Sequence, residues 1–101
     1  MIAKEELTKY IVEIVRKQIQ QPHYKLFYFG SRVNGKADER SDIDIGIIAE
    51  ANIPWGVIGE IEAELEESVP VLQKFDFVDF NIVSDDFKKI ALKDIEIIYE
   101  Q

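Results

Sequence analysis

Asp42 and Asp44 occupy positions i and i+2 of the run DIDIGII, and the pair Gly30-Ser31 lies upstream with ten residues between Ser31 and Asp42. On an extended chain both carboxylates leave the same face a few ångströms apart. Like charges that close are costly unless a cation or a proton sits between them. Oxygen ligands with no His or Cys beside them suit magnesium or manganese, hard ions that keep waters and complete their shell with substrate phosphates. A glycine followed by a serine at a strand end offers close backbone approach, a hydroxyl donor and the N–H groups of a helical turn, which together cradle phosphate. Arg32 and Lys36 add positive charge nearby. Gly-Ser alone is usually a turn and Asp-x-Asp alone is often a solvated strand face, but at this joint spacing they point to a metal-dependent site for a phosphate-bearing substrate.

A third carboxylate is available in FDFVDF, residues 75–80. Alternation sets Asp76 with Val78 and Phe80 on one face and Asp79 with Phe75, Phe77 and Asn81 on the other, so only one of the two aspartates faces the metals. Arg32 is a candidate phosphate contact, with a merely solvated arginine as the plain reading. Ser41 either orients a metal ligand through a hydrogen bond or simply starts the strand. His23 follows Pro22 in a breaker segment and is assigned no role.

These residues need a scaffold, and its elements follow from periodicity. Leu7, Ile11, Ile14, Val15 and Ile19 recur at helical spacing, predicting an amphipathic helix from about 4 to 20. Pro22 breaks it. YKLFYF over 24–29 predicts a strand ending at Gly30, after which Ser31 is placed to cap a short helical turn. Residues 34–41 (NGKADERS) read as a loop. Residues 42–48 predict a second strand with Ile43, Ile45 and Ile47 on the core face and Asp42, Asp44 and Gly46 on the other. Pro54 at a first helical position opens a helix to about Glu67, with Trp55, Ile58, Ile61 and Leu65 inward and five Glu on a solvent face. A third strand is expected over 75–83, a short helix capped by Ser84 to about Leu92, and an edge strand over 95–99.

At 101 residues the chain is expected to form one domain over 1–101. With 47% hydrophobic and 32% charged residues it reads as globular rather than disordered. Twelve Lys and Arg against twenty Asp and Glu give a net charge of −8, which repels a phosphate backbone and argues against direct nucleic-acid binding. The absence of Cys and the single His exclude a disulfide framework and thiolate or His-rich zinc sites. No apolar run approaches the length of a membrane span, so the expectation is a soluble, cytoplasmic protein.

The run GSRVNGKADERSDIDIGI resembles, residue for residue, the signature of the minimal nucleotidyltransferases of the DNA polymerase beta superfamily: Gly-Ser, ten residues, then Asp-x-Asp. FDFVDF, followed eight residues after its second Asp by Phe87, is similar to the family's third conserved strand and closing helix, so the likeness spans most of the chain. The resemblance implies an α+β nucleotidyltransferase fold, a small mixed sheet with helices packed on one face. It also implies transfer of a nucleoside monophosphate from a nucleoside triphosphate to a hydroxyl, with two magnesium ions or manganese in their place. Carried over, it makes Gly30 and Ser31 the triphosphate grip and Asp42 and Asp44 the metal ligands. It favours Asp76 as the third catalytic carboxylate and metal ligand, Asp79 being the alternative. Two metals a few ångströms apart stabilise the attacking and leaving oxygens of an in-line displacement.

ATP is the expected donor. The core fold consumes nearly every residue at this length, so the acceptor site must come from a partner. Minimal members of the family are often paired with an all-helical HEPN-domain ribonuclease toxin and act as its antitoxin, some by adenylylating a toxin tyrosine, and the resemblance implies such a partner here. Two alternatives stand beside this reading. One is a binding antitoxin that masks its partner without transfer, against which the intact Gly30-Ser31, Asp42 and Asp44 speak. The other is transfer to a small molecule such as an aminoglycoside, which the missing second domain disfavours. Strand edges are compatible with a homodimer or a hetero-oligomer.

Overall fold

The helical spacing of Leu7, Ile11, Ile14 and Val15 does build a first helix, α1 (Lys4–Gln18), whose buried stripe is those four residues. The structure is a computed structural model that describes residues 2–35 and 40–101; Lys36 and the middle of the expected loop lie outside the described residues. After α1 come β1 (Tyr24–Tyr28), α2 (Ser31–Asn34), β2 (Ile43–Ala49), α3 (Val57–Ser68), β3 (Phe75–Asp79), α4 (Asp85–Ala91) and β4 (Glu96–Glu100). The four strands form one mixed sheet in the order β3-β2-β1-β4. β1 runs antiparallel to β2 and β4, whereas β2 and β3 are parallel and joined through α3. No helix among the described residues is long and apolar enough to cross a membrane.

The strict alternation of β2 divides the interior in two. Ile43, Ile45 and Ile47 face a core shared with α1, α3 and the inward residues Leu26, Phe75 and Phe77. Ile45, Ile47, Ile61 and Leu65 are fully buried there, each stabilising the fold by about 1.5–3 kcal/mol. On the opposite face Phe27, Phe29 and Phe80 form a second cluster, backed by Val83, Ala91, Leu92 and Ile95 from α4 and its flanks. Gly46 sits beneath it. A Cβ there would lie within 2.6 Å of the Phe27 and Phe80 rings, so only glycine lets two phenyl rings cross this strand.

Four expectations are corrected. Trp55 is fully exposed rather than inward, because α3 begins at Val57 and Trp55 falls in a turn before Gly56, whose φ of +90° no helix accommodates. The N-cap of α2 is Gly30, at φ +73°, and no side chain caps this helix; Ser31 is its first residue. The third strand stops at Asp79 instead of reaching Val83, because the chain turns there: Ile82 N–H donates to the Asp79 carbonyl and Asn81 N–H to Asp79 Oδ1. The acidic side of α3 is not simply a solvated face. Glu66 accepts from Phe75 N–H and Glu62 from Phe77 N–H, both at 2.9 Å, so two carboxylates one helical turn apart close the outer edge of β3. Glu64 in turn pairs with Lys17 and Gln18 of α1. Ser84 does cap α4, accepting from Phe87 N–H at 3.1 Å.

Candidate active site

Parallel pairing sets Asp44 of β2 opposite Asp76 of β3. Both side chains leave the sheet face opposite the α1–α3 core, Asp44 half-buried and Asp76 exposed. Asp42 stands exposed just before β2. The backbone turn at Gly30 arrives from the other side, since Phe29 N–H donates to the Asp44 carbonyl at 3.2 Å and so ties the end of β1 to this point of β2. Gly30 is required twice over: its φ is positive, and a Cβ would overlap Asp44 Oδ2. Ser31 follows, half-buried, at the start of α2.

Electrostatics at this point are strained. Burial, then the carboxylates of Asp76 and Asp42, push Asp44 up to about 6, against the pull of the Arg32 guanidinium. Arg32 is a strut between the two halves of the site. Its Nη2 donates to the Ser41 carbonyl at 3.1 Å, directly before Asp42. Its Nε is buried with no hydrogen-bond partner among the described residues.

The structure separates the two aspartates of β3. Asp79 is 7% exposed and its Oδ1 is used by Asn81 N–H at 2.9 Å. The Asn81 side chain in turn accepts from Ala49 N–H and donates to its carbonyl, extending the β2 ladder by one side chain. Asp76 has the opposite setting, beside Asp44 and open to solvent. Asn81, Glu62 and Glu66 were not singled out by sequence reasoning; the i, i+4 spacing of the two glutamates is the one signal that could have marked them.

The donor set fits divalent ions and a phosphate ligand. All three carboxylates are hard oxygen donors, Asp44 is held in an environment that a cation would relieve, and the glycine turn and the charge of Arg32 both bear on Asp44. No three such side chains among the described residues converge closely enough to hold an ion unaided.

Comparison with known proteins identifies the family. Residues 9–101 match the family described as "Polymerase beta, Nucleotidyltransferase". The chain is 34% identical over 100 residues to the "Probable protein adenylyltransferase MntA" of Haemophilus influenzae, covering 99% of this chain and 84% of that protein. It superposes with a TM-score of 0.76 and 17% identity on a structure of the tri-AMPylated Shewanella oneidensis HEPN toxin in complex with MNT antitoxin, over 98% of this chain and 74% of that one. A toxin–antitoxin structure with AMP-PNP gives 0.77 and 21% identity, over 93% and 73%. The nucleotidyltransferase fold and the use of a divalent metal that goes with it follow, and this chain belongs to the polymerase beta nucleotidyltransferase family.

Proposed function

We propose that this protein transfers AMP from ATP to a tyrosine hydroxyl of a HEPN-type toxin and thereby acts as its antitoxin, with two magnesium ions held by Asp42, Asp44 and Asp76. The observation that carries the reading is the meeting of Gly30-Ser31, Asp44 and Asp76 at one end of the sheet, in a homologue of a protein described as an adenylyltransferase. When bound, the ions neutralise the triphosphate and favour ionisation of the acceptor hydroxyl.

The chain's own groups do the positioning. The Gly30 turn and Ser31 take the terminal phosphates by close backbone approach, and the Arg32 guanidinium supplies positive charge beside Asp44. The Ser41 carbonyl, held by Arg32, fixes where Asp42 enters β2. Asp76, exposed on the β3 side of the pair, accepts the hydrogen bond of the incoming hydroxyl and sets it in line with the α-phosphate and the leaving pyrophosphate.

The test is the intact mass of a co-expressed HEPN-type toxin after incubation with this protein, magnesium and ATP. Whole AMP increments with wild type, and none with Asp42→Asn/Asp44→Asn, are expected. An unmodified toxin held in a stable, inactive complex would replace this reading with that of a masking antitoxin.

A further inference from the structure

β3, the strand that carries Asp76, lies at the edge of the sheet and pairs with β2 on one side only. Its backbone polar groups alternate between that neighbour and the open edge. Ile43 N–H donates to the Lys74 carbonyl at 2.8 Å and Phe80 N–H to the Ile47 carbonyl at 2.9 Å, so the even-numbered residues of this stretch face β2. Phe75 and Phe77, on either side of Asp76, therefore turn their N–H groups outward. Both are met there from α3: Glu66 accepts from Phe75 N–H and Glu62 from Phe77 N–H, each at 2.9 Å. The helix that supplies these carboxylates is itself anchored. Ile61 and Leu65, the residues before Glu62 and Glu66, are fully buried in the core shared with α1, and Glu64 pairs with Lys17 and Gln18.

Closing an edge requires an acceptor somewhere along it, but these two fall at the residues that bracket Asp76. That is also where the strand carries a load. Asp44 and Asp76 are partners in the β2–β3 register, and their like charges repel across the pairing. β3 has no further strand behind it to resist that push. A short edge strand so loaded relaxes by sliding along its neighbour or lifting from it, and a displacement of about an ångström is enough to spoil a reacting geometry. The α3 glutamates oppose the movement from the outer side. They act through the backbone, which leaves the Asp76 carboxylate itself exposed and free for a ligand.

We propose that Glu62 and Glu66 are positioning residues for Asp76, fixing the β3 backbone so that its carboxylate meets Asp44 across a shared divalent ion. The role rests on the metal-dependent transfer reading for the use of Asp76, but the clamp and the ion are measurable without an acceptor. Three variants separate positioning from stability. Glu62→Ala/Glu66→Ala removes both acceptors, Glu62→Gln/Glu66→Gln keeps an amide oxygen at each place, and Ile61→Val weakens the buried side of the same helix with both bonds intact. The readouts are amide hydrogen exchange at residues 75–77, calorimetric titration of manganese into protein already loaded with equimolar manganese and AMP-PNP, and steady-state AMP transfer to the toxin. In the Ala pair, exchange at Phe75 and Phe77 should quicken more than in the rest of the sheet. Affinity for the second ion and kcat should each fall about tenfold or more, with KM for ATP within about twofold of wild type. The Gln pair should restore both quantities, and Ile61→Val should leave them unchanged although it melts lower. Unchanged exchange at Phe75 and Phe77 in the Ala pair, a Gln pair as impaired as the Ala pair, losses that merely track stability in all variants, or a wild type that takes up no second ion would overturn the proposal. Second-ion binding that follows the clamp in a protein that modifies no toxin would overturn the transfer reading alone.

Discussion

Replacing Asp44 by Asn should make the metal-free protein more stable, although it removes a residue proposed to be essential for function. The Asp44 carboxyl rises from an ordinary 3.8 to about 6 through burial and the proximity of Asp76 and Asp42. At about 1.4 kcal/mol per tenfold change in proton affinity, that rise corresponds to about 3 kcal/mol. Because Asp44 is only half-buried, solvent screening reduces the figure to about 1–1.5 kcal/mol. The sign follows from proton linkage. Between 3.8 and about 6 the folded state holds a proton that the unfolded chain has released, so stability falls as pH rises through this window and stays lower above it. The asparagine amide has no such proton to lose. Thermal unfolding in EDTA should therefore show Asp44→Asn melting about 5 °C above wild type at pH 7.5, with the advantage gone at pH 3.5. Saturating magnesium with AMP-PNP should reverse the order, because ligands that bind only the folded wild type stabilise it by mass action and the variant lacks a ligand carboxylate. A variant less stable than wild type at pH 7.5 without metal, or a difference that does not change with pH, would refute the crowding argument.

The two aspartates of β3 should part under substitution: Asp76→Asn is expected to lower AMP transfer at least 100-fold with a metal-free melting temperature no lower than wild type, since it removes a charge that crowds Asp44, whereas Asp79→Ala should cost about 1–2 kcal/mol of stability by orphaning Asn81 N–H, with transfer by the folded fraction kept. Gly30→Ala combines a positive φ with overlap on Asp44 Oδ2, so it should destabilise the fold by at least 1 kcal/mol and weaken AMP-PNP binding, both read in one thermal-shift series with and without nucleotide. Gly46→Ala, overlapping Phe27 and Phe80, should cost about 1–3 kcal/mol in urea unfolding while AMP-PNP affinity of the folded protein stays near wild type. With EDTA in place of magnesium, calorimetry should show AMP-PNP binding weakened at least tenfold, since the Arg32 guanidinium then faces three carboxylates and a triphosphate.

Much of this arrangement is readable from local pattern, and the exceptions have definite causes. The alternation of Ile43, Ile45 and Ile47 with Asp44 and Gly46 specifies both the face of β2 that enters the core and the face that carries charge, because a one-residue slip would bury Asp44. The pairing of Asp44 with Asp76 is not written in either strand alone. It is a register between segments separated by α3, and it appears only when β2 and β3 are laid side by side. Trp55 fails for a local reason that could have been weighed: Gly56 stops the helix before Trp55 can join its periodicity. Glu62 and Glu66 could not be assigned from α3 alone, since what makes them acceptors is an edge strand contributed by residues 75–79. The same holds for Gly46, whose necessity is created by Phe27 and Phe80 arriving from two other parts of the chain.

Asp76 and Asp79 come from one five-residue strand and meet opposite environments, and the contrast gives a physical criterion for the proposed site. Asp79 is buried, but a backbone N–H is committed to it, so its charge is accommodated by the fold itself. Asp44 is half-buried among its own kind, with carboxylates on two sides and one guanidinium that lessens the repulsion without removing it. The guanidinium is itself incomplete, with a buried N–H that nothing in the described residues accepts. A surplus of negative charge beside an unused donor is unfavourable for the protein alone. The crowding at Asp44 becomes favourable when cations meet the carboxylates, as they would with a metal-bound phosphate in the proposed site. Asp44, crowded by two carboxylates, and the glycine turn that presses against it mark the place proposed for that ligand.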